Sequence, residues 1–227
     1  MSETRPTPLE LLSKTATRLQ TRGPAEVIAT IRNRLWRGLA SQGEIALLVR
    51  DAVDTASDRP GLTFRRATVN DAGAYTRDVG TDSARTFRRR LTDRTDCYLV
   101  LQGESIVHAS WATTRSAWTT ELNAYLCPPP GDAYVYESFT DAQTRGQGIY
   151  PFALHHMCAD LGRRGITRVW VGVEHDNVSS QRAIAKGGFH EAFQLPFRRR
   201  LFRVSLLPAT GPRAAQAAAF VTKAPPR

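Results

Sequence analysis

Two glycines placed two residues apart give this sequence its clearest chemical signal. They lie in the segment QTRGQGIY, residues 143–150, as Gly146 and Gly148. Glycine lets the backbone approach a ligand closely, and free N–H groups at the start of a helix attract an anion such as a pyrophosphate. Two glycines also form an ordinary tight bend, so the segment by itself permits either a phosphate site or a simple turn.

Two further side chains are candidates for proton transfer. Glu137 precedes the glycine segment, and His108 lies on an earlier apolar run. A nucleophile that carries a proton at neutral pH must lose it before it attacks, and a positioned side chain can accept that proton. A carboxylate at 137, or an imidazole with a pKa of about 6.5, could accept this proton. The alternatives are a structural or substrate-anchoring role for Glu137 and a packed position for His108.

One cluster of histidines and a cysteine could suggest a metal. His155, His156 and Cys158 fall on one predicted helix, but adjacent histidines face different sides and no carboxylate pair joins them. The three cysteines of the chain are far apart and lack the paired spacing of a zinc or redox motif. We therefore predict free thiols and no bound metal.

The glycine segment lies between a predicted strand and a predicted helix. The pattern predicts a strand over 133–140, a helix over 151–163 and a buried strand over 167–173. This order predicts a right-handed crossover between parallel strands. A second helix is predicted over 177–186, and Asn177 fits its N-cap.

The remaining central elements surround this crossover. Gly103 between two apolar runs predicts an antiparallel hairpin. Three successive prolines at 128–130 predict a loop over 118–132, because proline cannot continue a helix or a central strand. The other predicted elements are strands at 62–67, 97–101, 105–113, 189–193 and 201–206, and helices at 71–77 and 83–91.

The two ends of the chain differ from its centre. Apolar residues at helical spacing predict an amphipathic helix over 8–39, so we assign residues 1–60 to an N-terminal helical extension that ends at the Pro-Gly boundary near 60. This extension could pack on the main domain, residues 61–206, or lie on a lipid surface or a partner. The tail at 207–227 is rich in Ala and Pro and is predicted to be disordered.

The net charge of +10 is unevenly distributed. Residues 61–191 hold 15 Lys and Arg against 14 Asp and Glu, whereas residues 192–227 hold seven basic residues and no acidic one. This balance argues against nucleic acid as a partner. The arginine-rich N-terminal helix and the cluster Arg198, Arg199, Arg200 and Arg203 could instead meet a membrane surface or another anion, or could simply be solvated. Without an apolar span or a secretory leader, we expect a cytoplasmic protein.

Two motifs at matching separation resemble the GCN5-related N-acetyltransferase (GNAT) superfamily. The first is Gln, two residues, Gly, one residue, Gly, and the second is Asn, a small residue three positions on, then Gly-Phe. The resemblance implies an α/β fold with a mixed central sheet of about six or seven strands and flanking helices. The residues that carry it are Gln143, Gly146, Gly148, Asn177, Ser180, Gly188 and Phe189.

The resemblance further implies that acetyl-coenzyme A, or another acyl-coenzyme A, is a co-substrate. It would lie where the strands at 133–140 and 167–173 splay apart, with its pyrophosphate on the main-chain amides of the glycine segment. The implied catalytic residues are Glu137 and His108. The implied cofactor-binding residues are Phe139, Thr140, Gln143, Arg145, Gly146, Gln147, Gly148, Ile149, Tyr150, Asn177 and Ser180.

The sequence departs from the family at one catalytic position. Many relatives place a Tyr seven residues after the motif Asn to protonate the departing thiolate, and here that residue is Ile184. The chain is then either an enzyme that uses another acid or a coenzyme A-binding module without chemistry. For an enzyme, the expected acceptor is a small-molecule amine or an amino sugar, with a protein amine as the alternative. Acyl length and oligomeric state stay open.

Overall fold

The structure is a computed structural model that describes residues 40–53, 55–201 and 203–224. The helix predicted over 8–39 lies outside the described residues. Eleven strands are present in the described part: β1 Ala40–Asp51, β2 Thr63–Arg66, β3 Thr95–Gln102, β4 Ser105–Thr113, β5 Ala117–Thr119, β6 Ala124–Leu126, β7 Asp132–Thr140, β8 Arg168–Glu174, β9 His190–Arg200, β10 Arg203–Leu206 and β11 Val221–Thr222. Its α-helices are α1 Ala72–Asp78, α2 Ala84–Arg90, α3 Ile149–Arg163, α4 Val178–Lys186 and α5 Ala217–Phe220.

Eight of the strands form one mixed sheet. Their order is β10-β9-β1-β8-β7-β4-β3-β2, and β5, β6 and β11 form a separate three-stranded sheet. The pair β7–β8 is parallel, and every other pair described in the large sheet is antiparallel. The predicted α/β class, the hairpin β3–β4 and the crossover β7-α3-β8 are therefore confirmed, with one more strand in the large sheet than predicted.

Each face of the large sheet has its own hydrophobic core. Helices α3 and α4 cover one face, where Leu154, Met157 and Ile184 pack against Val135 and Val171. The buried apolar residues of α3, from Ile149 to Leu161, recur at helical spacing and are each at most 2% exposed, which explains why this segment is a helix on the sheet. Helices α1 and α2 and the C-terminal segment cover the opposite face.

Strand β1 corrects the boundary predicted at residue 60. It lies between β8 and β9, where it pairs with both neighbours, so the sheet begins at residue 40. Leu47 and Val49 are buried on one face, and Ala46 and Leu48 on the other. Burial on both faces produces a continuous apolar run, and such a run has neither the strand nor the helix period.

The tail after residue 206 is ordered over the described positions up to 224, so the prediction of disorder is wrong there. Phe220 is 1% exposed and packs against Trp170 and Phe193, with ring centroids 4.9 Å and 5.7 Å away. Burial of this one large aromatic ring is enough to hold the tail on the domain, although most of the tail is Ala and Pro.

The loop predicted over 118–132 is interrupted by strand β6, which pairs with β11. The three prolines follow β6, as expected.

Two further observations bear on partners. Within the described residues, no helix is both long and apolar enough to span a membrane, and no three His, Cys, Asp or Glu residues are placed to hold a metal ion. In the predicted arginine cluster, Arg199 donates a hydrogen bond to the Glu121 carbonyl at 2.7 Å, while Arg198, Arg200 and Arg203 are exposed. An anionic partner for this cluster stays a prediction.

Candidate functional site

A gap opens inside the large sheet at the carboxyl end of β7. Residues 132–135 of β7 pair with 168–171 of β8, and beyond Val135 no further pair joins these two strands in the described structure. Residues 132–136 are buried, yet Glu137 and Ser138 are exposed and Phe139 and Thr140 are half-buried. This stretch of β7 is thus accessible in the middle of an eight-stranded sheet, where a ligand could lie beside it.

A β-bulge lies at the start of this gap. The pairing of β4 with β7 shifts register between Ala109 and Trp111, and Glu137 adopts a φ of 48°. Positive φ is unusual for a residue with a side chain, and bulges often redirect side chains next to functional sites. Here the bulge directs Glu137 toward α2, on the opposite face from α3.

The glycine segment forms the turn from β7 into α3. Gly146 and Gly148 have φ of 80° and 75°, a conformation that favours glycine, and α3 begins at Ile149 without a side-chain cap. In the described structure, no hydrogen bond is made by the backbone N–H groups of Gly146, Gly148, Ile149 and Tyr150. These amides and the helix dipole could hold an anion at the end of the gap, and anion binding there stays a prediction.

Two arginines border this turn. Arg145 donates its Nε hydrogen to the Thr140 carbonyl at 3.2 Å, and Arg59 donates from Nη1 to the Gln147 carbonyl at 2.6 Å. Both side chains are exposed, so their charge adds to the attraction of a phosphate. Sequence reasoning missed Arg59, because it belongs to the segment before β2, far from the glycines along the chain.

His108 lies under the first turn of α3 within a chain of polar groups. Its Nδ1 is 2.8 Å from Thr140 Oγ1 and its Nε2 is 2.8 Å from Ser110 Oγ. Ser110 donates to Ser138 Oγ at 2.8 Å, and the Ser138 hydroxyl interacts with that of Tyr150. The Tyr150 ring stacks on His108 with centroids 5.2 Å apart. Both imidazole nitrogens therefore have partners inside the protein.

Burial makes His108 a poor general base. The side chain is fully buried, and burial lowers the pKa of His108 to about 3. The imidazole is neutral at physiological pH, and neither nitrogen faces the gap. The structure thus places His108 in the packed role that was the alternative to proton transfer.

This depressed pKa predicts a pH-dependent stability. Between pH 6.5 and 3 the unfolded chain binds a proton at His108 that the folded chain excludes, so the free energy of unfolding falls as the pH falls through this range. Lowering the pH from 7 to 5 should cost the wild type about 2 kcal/mol more than His108→Gln, as measured by urea unfolding. The exposed His190→Gln is the control and should follow the wild type; equal losses in all three proteins would contradict the prediction.

Glu137 belongs to a charged cluster with Arg90 and Asp82. Arg90 Nη1 is 2.7 Å from Glu137 Oε2 and also bonds the carboxylate of Asp82, which is fully buried. The Arg90 guanidinium covers the ring of Trp111 at 3.9 Å from its centroid. The Glu137 side chain is 42% exposed, so this carboxylate faces both the cluster and the open end of the gap.

Asn177 and Ser180 lie beyond the carboxyl end of β8, at the same edge of the sheet as the glycine turn. The Asn177 side-chain oxygen accepts from the Ser180 amide at 3.2 Å and from the Ser179 hydroxyl at 3.1 Å, so Asn177 is the N-cap of α4. This confirms the capping interpretation. The predicted cofactor contact stays a prediction.

Three other predicted site residues remain, Gln143, Gln147 and Ile149, together with Ile184 at the position of the missing acid. Gln143 lies exposed in a short 3-10 turn whose N-cap is Asp141, and Gln147 contributes its carbonyl to Arg59. Ile149 is buried in the core, so only its backbone amide can serve the site. Ile184 is 1% exposed in the core beneath α4 and supplies no proton donor.

The fold of this chain, with its sheet split between β7 and β8, is that of the GCN5-related N-acetyltransferases. The structure is similar to a GCN5-related N-acetyltransferase from Sphaerobacter thermophilus, with a TM-score of 0.53, 14% identity and 78% of this chain covered. It is also similar to a protein from Novosphingobium aromaticivorans assigned to the GNAT family of acetyltransferases, with a TM-score of 0.51, 17% identity and 69% covered.

These similarities establish the fold. The chain spans 57% of the length of the Sphaerobacter protein and 63% of that of the Novosphingobium protein. No protein-family model and no curated protein sequence matches the chain. The chain therefore has the GNAT fold, and its activity must be argued from its own site.

Proposed function

We propose that this chain is an acyl-coenzyme A-dependent N-acyltransferase, with acetyl-coenzyme A as the expected donor. The observation that carries the proposal is the coincidence of the split between β7 and β8 with the free amides of the glycine turn at its end. A long ligand with an anionic group at one end and amide groups along its arm matches this arrangement, and the pantetheine arm and pyrophosphate of coenzyme A have this chemistry.

The residues of the turn and of β7 would hold the co-substrate. The amides of Gly146, Gly148, Ile149 and Tyr150 would bind the pyrophosphate, with Arg59 and Arg145 adding positive charge. Phe139 and Thr140, which lie on β7 beyond its last pair with β8, would line the pantetheine arm. Bound there, the co-substrate supplies an acyl group activated as a thioester.

The acceptor side of the site would be near Glu137. Its partly exposed carboxylate would attract an ammonium group, and it would accept a proton directly or through water before the amine attacks. Arg90 orients this carboxylate through a hydrogen bond of 2.7 Å. A carboxylate in this position supports a cationic small molecule, such as an amino sugar, as the acceptor, with a protein amine as the alternative.

One observation favours a second candidate, a coenzyme A-binding module without catalysis. Ile184 occupies the position at which many proteins of this fold carry the Tyr that protonates the thiolate, and it is buried in the core. A chain that has lost its acid would still bind the co-substrate through the glycine turn. Binding and turnover must therefore be measured separately.

Thermal unfolding with and without acetyl-coenzyme A tests the binding step. Ligand at about 100 times its dissociation constant should add about 2.7 kcal/mol to the free energy of unfolding. Acetyl-pantetheine, which lacks the pyrophosphate, is the control and should add much less at the same concentration. Absence of any shift with acetyl-coenzyme A would overturn the proposal.

Thiol release against a panel of amines tests the chemistry. Release that depends on both acetyl-coenzyme A and one class of amine supports the transferase, and the productive amine identifies the acceptor class. A thermal shift without thiol release from any small or peptide amine would favour the binding module.

A further inference from the structure

A chain of hydrogen-bonding groups connects β4, β7 and the first turn of α3. Three contacts of 2.8 Å each join Thr140, His108, Ser110 and Ser138, and the Ser138 hydroxyl also interacts with that of Tyr150. The middle of the chain is sealed, because His108 and Ser110 are fully buried. Its ends reach the gap, because Ser138 is exposed and Thr140 and Tyr150 are half-buried.

The donors in this chain are ordered in one direction. Ser110 donates to Ser138, so the Ser110 oxygen must accept from His108 Nε2–H. A neutral imidazole has one N–H, so Nδ1 accepts from the Thr140 hydroxyl. The hydroxyl hydrogen of Ser138 is then available to Tyr150. With its oxygen accepting from Ser138, Tyr150 would keep its own O–H hydrogen for a ligand.

We propose that Tyr150 donates the proton that the departing sulfur of the acyl thioester requires, in the role that Ile184 cannot perform. The inference rests on the proposed function. Tyr150 directly follows the amides that would hold the pyrophosphate, and its hydroxyl reaches Ser138, one residue beyond the bulge at Glu137. Two further phenols lie on β7: Tyr134 is engaged by the Thr119 side chain and the Gly172 backbone, and Tyr136 is buried in the core on the opposite face from α3.

Every bond and proton of this transfer step is accounted for by these residues and water. The amine nitrogen bonds the acyl carbon, the carbon–sulfur bond breaks with its electron pair on sulfur, and the Tyr150 proton moves to that sulfur. The Tyr150 phenolate then takes a proton from Ser138. Ser138 takes one from Ser110, Ser110 from His108 and His108 from Thr140, and Thr140 takes a proton from water. His108 gives a proton at Nε2 and receives one at Nδ1, so it stays neutral. The proton lost by the amine leaves through Glu137 or water.

The environment of Tyr150 agrees with a donor that is always protonated. Burial raises the pKa of Tyr150 to about 12, so the hydroxyl keeps its proton across the neutral range. The low basicity of the buried His108 likewise keeps the relay neutral.

Tyr150→Phe tests the inference, because phenylalanine retains the ring that stacks on His108. With acetyl-coenzyme A the variant should lose about 100-fold in kcat, in the range of a general acid, while the thermal shift by acetyl-coenzyme A persists. With the selenoester analogue, whose selenolate leaves without protonation, the loss should be less than about threefold. The control is Tyr98→Phe, whose hydroxyl bonds Asp160 near the other end of α3 and which should keep wild-type kcat.

A binding measurement gives a readout that does not depend on turnover. Wild type should bind coenzyme A about threefold to tenfold more tightly than desulfo-coenzyme A, because a hydrogen bond to sulfur is lost, and Tyr150→Phe should bind both equally. Full thioester activity in Tyr150→Phe, or an equal loss with the selenoester, would overturn the inference and leave the transferase intact. Absence of thermal shift in the wild type would instead remove the transferase itself.

Discussion

Replacing Gly146 by Asp should nearly abolish the stabilisation of this protein by acetyl-coenzyme A. Gly146 has a φ of 80°, and a Cβ added there meets no atom within 4 Å, so the backbone can accept a small side chain into open space beside the amides. A carboxylate there faces the same amides as the ligand's phosphates, and the repulsion should lower affinity by about 100-fold or more. At a concentration that stabilises the wild type by about 2.7 kcal/mol, the variant should gain less than about 0.5 kcal/mol.

Gly146→Asn is the matched control for this experiment. Asn and Asp have the same shape and tolerate positive φ about equally, so both should lose about 1 kcal/mol of intrinsic stability. Without the negative charge, the Asn variant should remain within about tenfold of wild-type affinity and gain about 1.4 kcal/mol from the same ligand concentration. Equal ligand responses of the two variants, measured by thermal unfolding, would show that charge at this turn is irrelevant and that the anion binds elsewhere.

The part of this site that depends on local pattern could be predicted from the sequence. Alternating and helical periods located β7, α3 and β8, and strand, helix and strand in this order fix their parallel crossover. Gly146 and Gly148 then had to lie at the carboxyl edge of the sheet. Such inferences succeed because each uses only neighbours along the chain.

The parts that depend on distant contacts could not be predicted. Strand β1 is buried on both faces, so its apolar run has no period to distinguish a strand from a helix. His108 was a reasonable base by residue type, but only the packing of Tyr150 from α3 shows that its nitrogens are enclosed. Arg59 approaches the glycine turn through tertiary structure alone.

The three arginines at the end of α2 likewise could not be distinguished from the sequence. The sequence gives Arg88, Arg89 and Arg90 as equivalent basic residues. In the structure Arg88 and Arg89 are exposed, whereas the Arg90 side chain is only 9% exposed and pairs with the fully buried Asp82. A buried carboxylate requires a charged or hydrogen-bonding partner, so Arg90 supports the fold next to the bulge as well as orienting Glu137.

Replacing Arg90 by Met should therefore destabilise the protein by about 3–5 kcal/mol, because it breaks the ion pair of Arg90 with the fully buried Asp82 carboxylate. Methionine retains much of the apolar bulk beside Trp111, so the loss is mainly electrostatic. Arg85→Met, an exposed position on the same helix, is the control and should change the free energy of unfolding by less than about 0.5 kcal/mol in urea.

A double variant separates the loss of this ion pair from the loss of packing. Asp82→Asn removes the buried charge while keeping the shape of the side chain, so Arg90→Met combined with Asp82→Asn should recover about 2 kcal/mol of the loss of the single Arg90 variant. Asp82→Asn alone should cost less than Arg90→Met, because Arg90 still pairs with Glu137 at 2.7 Å. If the two substitutions instead add, with coupling below about 0.5 kcal/mol, the pair does not support the fold and Arg90 acts on Glu137 alone.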